Sequence, residues 1–186
     1  MVNWLVKQQL VLPFDKLKVI YLKEVSSTND YLILNHQKLS NYTVLRTDYQ
    51  TNGRGQFLRT WTSNKSENLL FSILLKNILI IDIDNIKKII IESIMEFLSK
   101  YNLKPKFKLP NDILVNNKKI VGILIETLTK SHYEYKYVVI GIGININQTE
   151  FDDLIATSLK LETKKDYNLD DLFYEILTII FKKLTK

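Results

Sequence analysis

The chain has 186 residues, 46% of them hydrophobic and 25% charged, which suits one globular domain with a real core and excludes a disordered chain. It has no cysteine, so disulfides, thiolate catalysis and cysteine-held metals are excluded, and its two histidines, His36 and His132, show no ligand or catalytic spacing. The net charge of +6 suits a nucleotide, a nucleic acid or an acidic partner, but the lysines are spread along the chain without a basic arm, and the richness in Lys, Ile and Asn reads as genome bias as much as function.

The opening MVNWLVKQQLVLPF is weakly apolar and has no small-residue cleavage site, so no signal peptide is expected. VIYLKEV (19–25) reads as a strand. SSTNDYLILNHQ reads as a cap followed by a helix, with Ser27 or Thr28 accepting from the free amides of the first turn. YTVLRTDYQ (42–50) is a second strand that runs into a glycine loop, and NLLFSILLK (68–76) is an apolar run of strand length. Residues 84–98 are expected to be helical, with Ile86, Ile89, Ile90, Ile94, Phe97 and Leu98 on one stripe. The whole apolar region from 68 to 98 is broken by Lys76, Asn77, Asp82 and Asp84. It fails as a membrane span, and a soluble, cytoplasmic protein is expected.

KFKLPNDILVNNKKIVGILIETL reads as strand, turn at Asn116-Asn117, strand, and YEYKYVVIGIGINI as a further strand. A last helix is expected over 169–184, burying Leu169, Leu172, Phe173, Ile176, Leu177, Ile180 and Leu184. Asn168 and Asp171 form a rough capping box at its start. The chain has no repeat and no linker. Hairpin signals between strands point to an α+β domain with a central mixed, mostly antiparallel β-sheet and flanking helices, one domain over 1–186 with its core at about 19–184.

The segment QTNGRGQFLRTW (50–61) concentrates chemistry. Gly53 and Gly55 permit positive φ and close approach of a ligand to the main chain, whose amides can form an anion nest. Arg54 and Arg59 add forked donors, and Trp61 offers a face on which a base can stack. Taken alone, the segment is read equally well as a nucleotide site or as a hairpin loop with solvated arginines and a core tryptophan. Gly122, inside an apolar strand, marks either a bulge or a ligand lying flat on the backbone. In GIGININ, the amides of Asn145 and Asn147 require partners if buried.

SSTND, QTNGRGQFLRTW, KLPNDI, KKIVGIL and GIGININ stand in the order seen in biotin protein ligases, and over about 19–184 the chain resembles the catalytic domain of that family. The resemblance implies a class II synthetase-like fold and two chemical steps. Biotin and Mg-ATP give biotinyl-5′-AMP, and a lysine of a biotin carboxyl carrier domain then takes the biotinyl group. Mg2+ travels with ATP, and no metal site of the protein's own is implied. Ser27, Thr28, Asn29 and Gln50 match the segment holding the biotin head. Arg54, Gly55 and Gln56 match the loop that folds over the adenylate, with Gly53 and Arg59 in the same motif. Lys108 matches the lysine at the carboxylate and α-phosphate, making Lys108 and Arg54 the expected catalytic residues. Asn111 belongs to the Lys108 motif, Gly122 is the smooth wall for the valeryl chain, and Trp61 and Asn145 lie near the nucleotide.

Three positions depart from the family pattern: Gln56 for an arginine that helps retain the adenylate, Leu58 for a glycine, and Leu109 for a tryptophan. Only about 18 residues precede the first strand, so no winged helix and no DNA-binding role is expected. Nor is the SH3-like C-terminal domain of most members expected, which bears on ATP affinity. The resemblance allows a homodimer. Two rivals stand beside this reading: a lipoate or octanoate ligase of the same fold, whose arginine-rich and triple-glycine signature is missing here, and a non-catalytic biotin- or carrier-binding module.

Overall fold

The computed structural model describes residues 17–57, 59–151 and 155–185. The opening apolar segment and Leu58 lie outside them. Seven strands form one sheet: β1 (Lys18–Leu22), β2 (Thr43–Thr47), β3 (Asn68–Leu79), β4 (Lys106–Lys108), β5 (Asp112–Val115), β6 (Lys118–Thr129) and β7 (Glu134–Asn145). Their spatial order is β1-β2-β3-β7-β6-β5-β4. Only β1 and β2 run parallel, and every other pairing is antiparallel. The mixed, mostly antiparallel sheet expected from the hairpin signals is therefore present.

The hairpins have local causes. Asn116 and Asn117 both take positive φ, 50° and 62°, as a two-residue turn matched to strand twist requires. Helix α1 (Thr28–Asn35) starts where Ser27 accepts from the Asp30 amide at 3.3 Å. Helix α4 (Leu169–Leu184) starts where Asn168 Oδ1 accepts from the amides of Asp170 and Asp171, at 2.8 and 3.3 Å.

Cross-strand partners share a face of the sheet. Val44, Ile73, Ile140 and Ile125 form one row across it, and Leu45, Ser72, Gly141 and Leu124 form the next, facing the other way. The first face packs against α2 (Ile83–Ser99) and α4, with Ile90, Ile94, Phe97, Phe173, Ile176 and Ile180 buried in one cluster. Phe71 and Phe173 meet edge to face there, with centroids 5.5 Å apart. Truncating such a side chain costs about 3–5 kcal/mol.

The opposite face is covered much less. Among the described residues only α1 lies on it, and Leu32 packs against Leu45, Leu74, Tyr137 and Val139 in a small cluster. This asymmetry leaves the ends of β6 and β7 nearest the glycine loop without a helix above them.

Three features differ from the sequence expectation. β3 continues to Leu79 and is followed by a 3-10 turn (Ile80–Asp82) that leads into α2. A short helix α3 (Leu159–Thr163), capped by Ser158, precedes α4. α4 also buries Ile179 and Phe181, outside the expected stripe, because Phe181 meets Tyr42 at the sheet end, 6.0 Å between centroids. Among the described residues no helix is long and apolar enough to cross a membrane.

Candidate active site

A cavity of about 440 Å³ opens on the sparsely covered face. Its floor is backbone. Gly122 on β6 and Gly143 on β7 are register partners, and the Trp61 indole lies directly on them. A Cβ added at either glycine would come within 2.6 Å of that ring. The glycine inside the apolar strand is thus a place of close approach, and here the group that lies flat on the backbone is the protein's own tryptophan.

The loop that carries Trp61 is a small irregular hairpin. Trp61 N donates to Gly53 O at 2.9 Å, Gly55 N donates to Arg59 O at 2.7 Å, and Arg54 and Thr60 form a bridge. No glycine of the described chain takes positive φ, contrary to the expectation for this loop; Phe57 does, at 52°. Gly53 is demanded by proximity instead, since a Cβ there would lie 2.4 Å from Trp61 O.

One end of the cavity is rich in oriented polar groups. Thr28 N and Oγ1 both donate to Gln50 Oε1, at 2.7 and 3.0 Å. That fixes the amide, and its Nε2 donates to no group among the described residues. Ser72 Oγ bridges Thr28 Oγ1 and Asn29 Oδ1, at 2.7 and 2.6 Å, with one hydrogen to share between them. Asn29 Nδ2 reaches Leu124 O at 3.3 Å and Glu126 Oε2 at 2.7 Å. Ser27, Thr28 and Asn29 are buried, so these bonds are needed to offset desolvation of their polar atoms.

Ser27, Thr28, Asn29 and Gln50 line this end, Arg54, Gly55, Gln56, Arg59 and Trp61 line the loop side, and Asn111, Gly122 and Asn145 complete the wall. Two expected residues do not line the cavity. Gly53 acts behind it, through the backbone contact above. Lys108 is exposed at the end of the edge strand β4, two strands outside Gly122. Its register partner Asp112 reaches the cavity and Lys108 does not.

The lysine that does line the cavity is Lys119. Its ammonium lies 2.7 Å from Asp112 Oδ1 and 5.4 Å from the Trp61 ring centroid. A bulge puts it there. Ile113 pairs with Val121, but the next residue, Leu114, pairs with Lys119, so Ile120 is the extra residue of β6. Strict alternation would turn Lys119 to the face opposite Gly122; the bulge brings both to the cavity. The backbone of Lys119 is held on its other side as well, donating to Ile155 O at 3.0 Å and accepting from Thr157 N at 2.8 Å. Asn145 Nδ2 donates to Thr157 O at 3.0 Å, fastening that flanking segment. Asn147 is satisfied by Tyr167 in both directions. Both asparagines thus find the partners that burial requires, and both spend them on structure.

Arg54 forks onto Glu126, Nη1 to Oε1 at 2.9 Å and Nη2 to Oε2 at 2.6 Å, and Nη2 also lies 2.6 Å from Asp30 Oδ1. Burial works against its charge, but the hydrogen bonds and charges of Glu126 and Asp30 outweigh that and raise its pKa. Among the described residues, no group of three His, Cys, Asp or Glu side chains is placed to hold a metal ion.

A family model, the Biotin/lipoate A/B protein ligase family, matches residues 21–145, and the chain belongs to that family. Among solved structures it is similar to the biotin protein ligase of Aquifex aeolicus in complex with biotin and ATP. The identity is 33%, over 91% of this chain and 71% of that one, with a TM-score of 0.76. The biotin protein ligase of Leishmania major in complex with biotin is 27% identical over 88% of this chain and 73% of that one, with a TM-score of 0.71. Among curated proteins, the bifunctional ligase/repressor BirA of Bacillus spizizenii is 30% identical over 58% of this chain and 34% of its own length. That of Escherichia coli is 27% identical over 67% and 39%. The chain spans about a third of the length of the curated relatives it matches.

Proposed function

We propose that this member of the Biotin/lipoate A/B protein ligase family activates biotin with ATP and transfers it to a lysine of a biotin carboxyl carrier domain. The observation that carries the reading is the order of groups along one cavity. An amide- and hydroxyl-lined end (Thr28, Asn29, Gln50) leads past the apolar Trp61 indole, seated on Gly122 and Gly143, to an ammonium, Lys119. A ureido ring hydrogen-bonds at the first, an aliphatic chain needs a smooth wall at the second, and a carboxylate is drawn to the third. The biotin- and ATP-bound relative at 33% identity supports the same ligand pair.

In the first step a biotin carboxylate oxygen attacks the α-phosphorus of Mg-ATP, the bond to the β-phosphate oxygen breaks, and pyrophosphate leaves. Lys119 offsets the negative charge shared by the carboxylate and the α-phosphate as they approach. In the second step the neutral ε-amine of the acceptor lysine attacks the carbonyl carbon of the mixed anhydride. AMP leaves, and the amine loses its proton. Neither step needs a nucleophile from this chain, which has no cysteine. Such a ligase works where ATP and carboxylases are found, in the cytoplasm.

Lipoate is the discriminating alternative, because the family takes its name from both acids. A dithiolane ring cannot answer the oriented Gln50 Nε2, and burying that group unpaired costs about 1–3 kcal/mol. The test is to incubate the protein with Mg-ATP and a carrier domain, with biotin and lipoate in parallel, and to follow carrier mass. A biotinyl adduct is expected. A lipoyl adduct alone would replace this reading with the other acid, and tight biotin binding without adenylate would make the chain a binding module.

A further inference from the structure

We infer that Glu126, assisted by Asp30, is a positioning residue that makes Arg54 the pin of the glycine loop and not a ligand of nucleotide phosphate. The inference rests on the proposed adenylation chemistry only for its kinetic arm. Glu126 follows Gly122 and Leu124 on the cavity side of β6, and it stands beyond the end of the β5 pairing at Gly122. One carboxylate thus touches both functional ends of the site. Oε2 accepts from Asn29 Nδ2 at 2.7 Å and from Arg54 Nη2 at 2.6 Å, while Oε1 accepts from Arg54 Nη1 at 2.9 Å.

The bidentate fork fixes the guanidinium in plane, which a single ion pair would not do. Asp30, in the first turn of α1, adds a second carboxylate on Nη2 at 2.6 Å. Three points argue against a phosphate ligand at Arg54. Both ends of its fork are committed to carboxylates. Its Nε is buried, so the remaining edge is closed to an incoming anion. Two carboxylates around one guanidinium leave the cluster with a net charge of about −1, which repels phosphate. What Arg54 does accomplish is mechanical. It lies between Gly53 and Gly55, so fastening its side chain to β6 and α1 holds the loop backbone across the cavity mouth, and Trp61 with it. Arg59, exposed and ion-paired to no described residue, is the loop's free cation.

The test compares wild type, E126Q, D30N, R54Q and the double variant E126Q/R54Q. Two readouts are taken: the rate of tryptic cleavage after Arg59 in ligand-free protein, and the ATP KM for pyrophosphate release at saturating biotin. A glutamine at 126 keeps an acceptor for Asn29, so biotin binding should shift less than ATP KM. If Arg54 is a pin, E126Q speeds cleavage at least fivefold and raises ATP KM in the same direction as R54Q. The double variant is then no worse than the worse single one, because both remove one contact. If Arg54 is a phosphate ligand, E126Q frees it. ATP KM then falls or stays level in E126Q while R54Q raises it, and cleavage is unchanged; either result overturns the inference. Should E126Q fail to fold, D30N removes one carboxylate from the surface end of α1, and a cleavage rate within twofold of wild type would count against the pin. If the wild type forms no adenylate at all, the proposed function fails, while the cleavage arm still decides whether Glu126 holds the loop.

Discussion

Lys119 and Asp112, on neighbouring strands β6 and β5, form an ion pair of 2.7 Å at the cavity wall. The pair is part-exposed, so it holds the ammonium in place without the cost of full burial. A group poised in this way meets developing charge with little reorganisation. Removing one preorganised donor of this kind costs on the order of 10²–10³ in rate. Lys119→Ala is therefore expected to lower biotinyl-adenylate formation by at least about 10²-fold, measured as pyrophosphate release, with the melting temperature little changed. Lys108→Ala, on the edge strand, should cost less than about tenfold, a charge effect at a distance. The opposite ranking of the two lysines would assign the catalytic role to Lys108, as the family resemblance implies.

The Gly122–Gly143 floor gives a second prediction. A methyl group at Gly143 would lie 2.6 Å from the Trp61 indole, so Gly143→Ala has to displace the ring from the floor. Overpacking of this kind costs about 1–3 kcal/mol. Biotin affinity is expected to fall at least about tenfold, by titration calorimetry, because floor and indole are disturbed together. Unchanged affinity with a normal fold would show that the floor does not meet the ligand.

The head end gives a third. Thr28→Val keeps the shape but removes the hydroxyl that donates to Gln50 and accepts from Ser72. Gln50 is then held by one bond, from the Thr28 amide, and its free Nε2 is no longer aimed. A loss of about 1–2 kcal/mol in biotin binding is expected, roughly five- to thirtyfold in Kd. A binding isotherm that matches wild type would remove Thr28 from the recognition of the head.

That Lys119 lines the cavity while Lys108 stands at the sheet edge was beyond what the sequence could show. Periodicity was enough for α2 and most of α4, because one helical face meets one sheet. It missed Ile179 and Phe181, whose burial depends on where α4 crosses the sheet end near Tyr42. The cap at Ser27 and the glycine loop carry local signals, whereas Asn29 and Gln50 stood out only through the family resemblance; all of them lie at or beside the cavity. Lys119 belongs to the KKIVGIL motif, but nothing in its local pattern pointed it at the cavity. Its route to the cavity depends on an extra residue at Ile120, and a bulge of this kind has no side-chain signature in an apolar run. Glu126 was silent for a similar reason. Its partners Arg54 and Asn29 lie 72 and 97 residues away in sequence. α3 was too short for periodicity to announce it.

The acid limb of stability gives the last prediction. Lys183 on α4 lies 2.8 Å from Glu96 on α2, tying together the two helices that cover the main core. The hydrogen bond from Lys183 lowers the pKa of Glu96 from the ordinary 4.5, and a smaller burial effect opposes it. A carboxylate with a depressed folded-state pKa binds fewer protons folded than unfolded. Its contribution is complete above about 4.5 and is lost as pH falls through the folded value. Both side chains are substantially exposed, so the contribution is that of a surface pair, screened by salt. Glu96→Gln should lower the melting temperature by roughly 1–3 °C at pH 7, and by nothing measurable once the pH lies below the folded value, where the wild-type carboxylate is protonated as well. The difference between variant and wild type should also shrink in about 1 M salt, where the Debye length is near 3 Å. A difference that persists unchanged into acid would mean that Glu96 acts through packing against α4 and not through its charge.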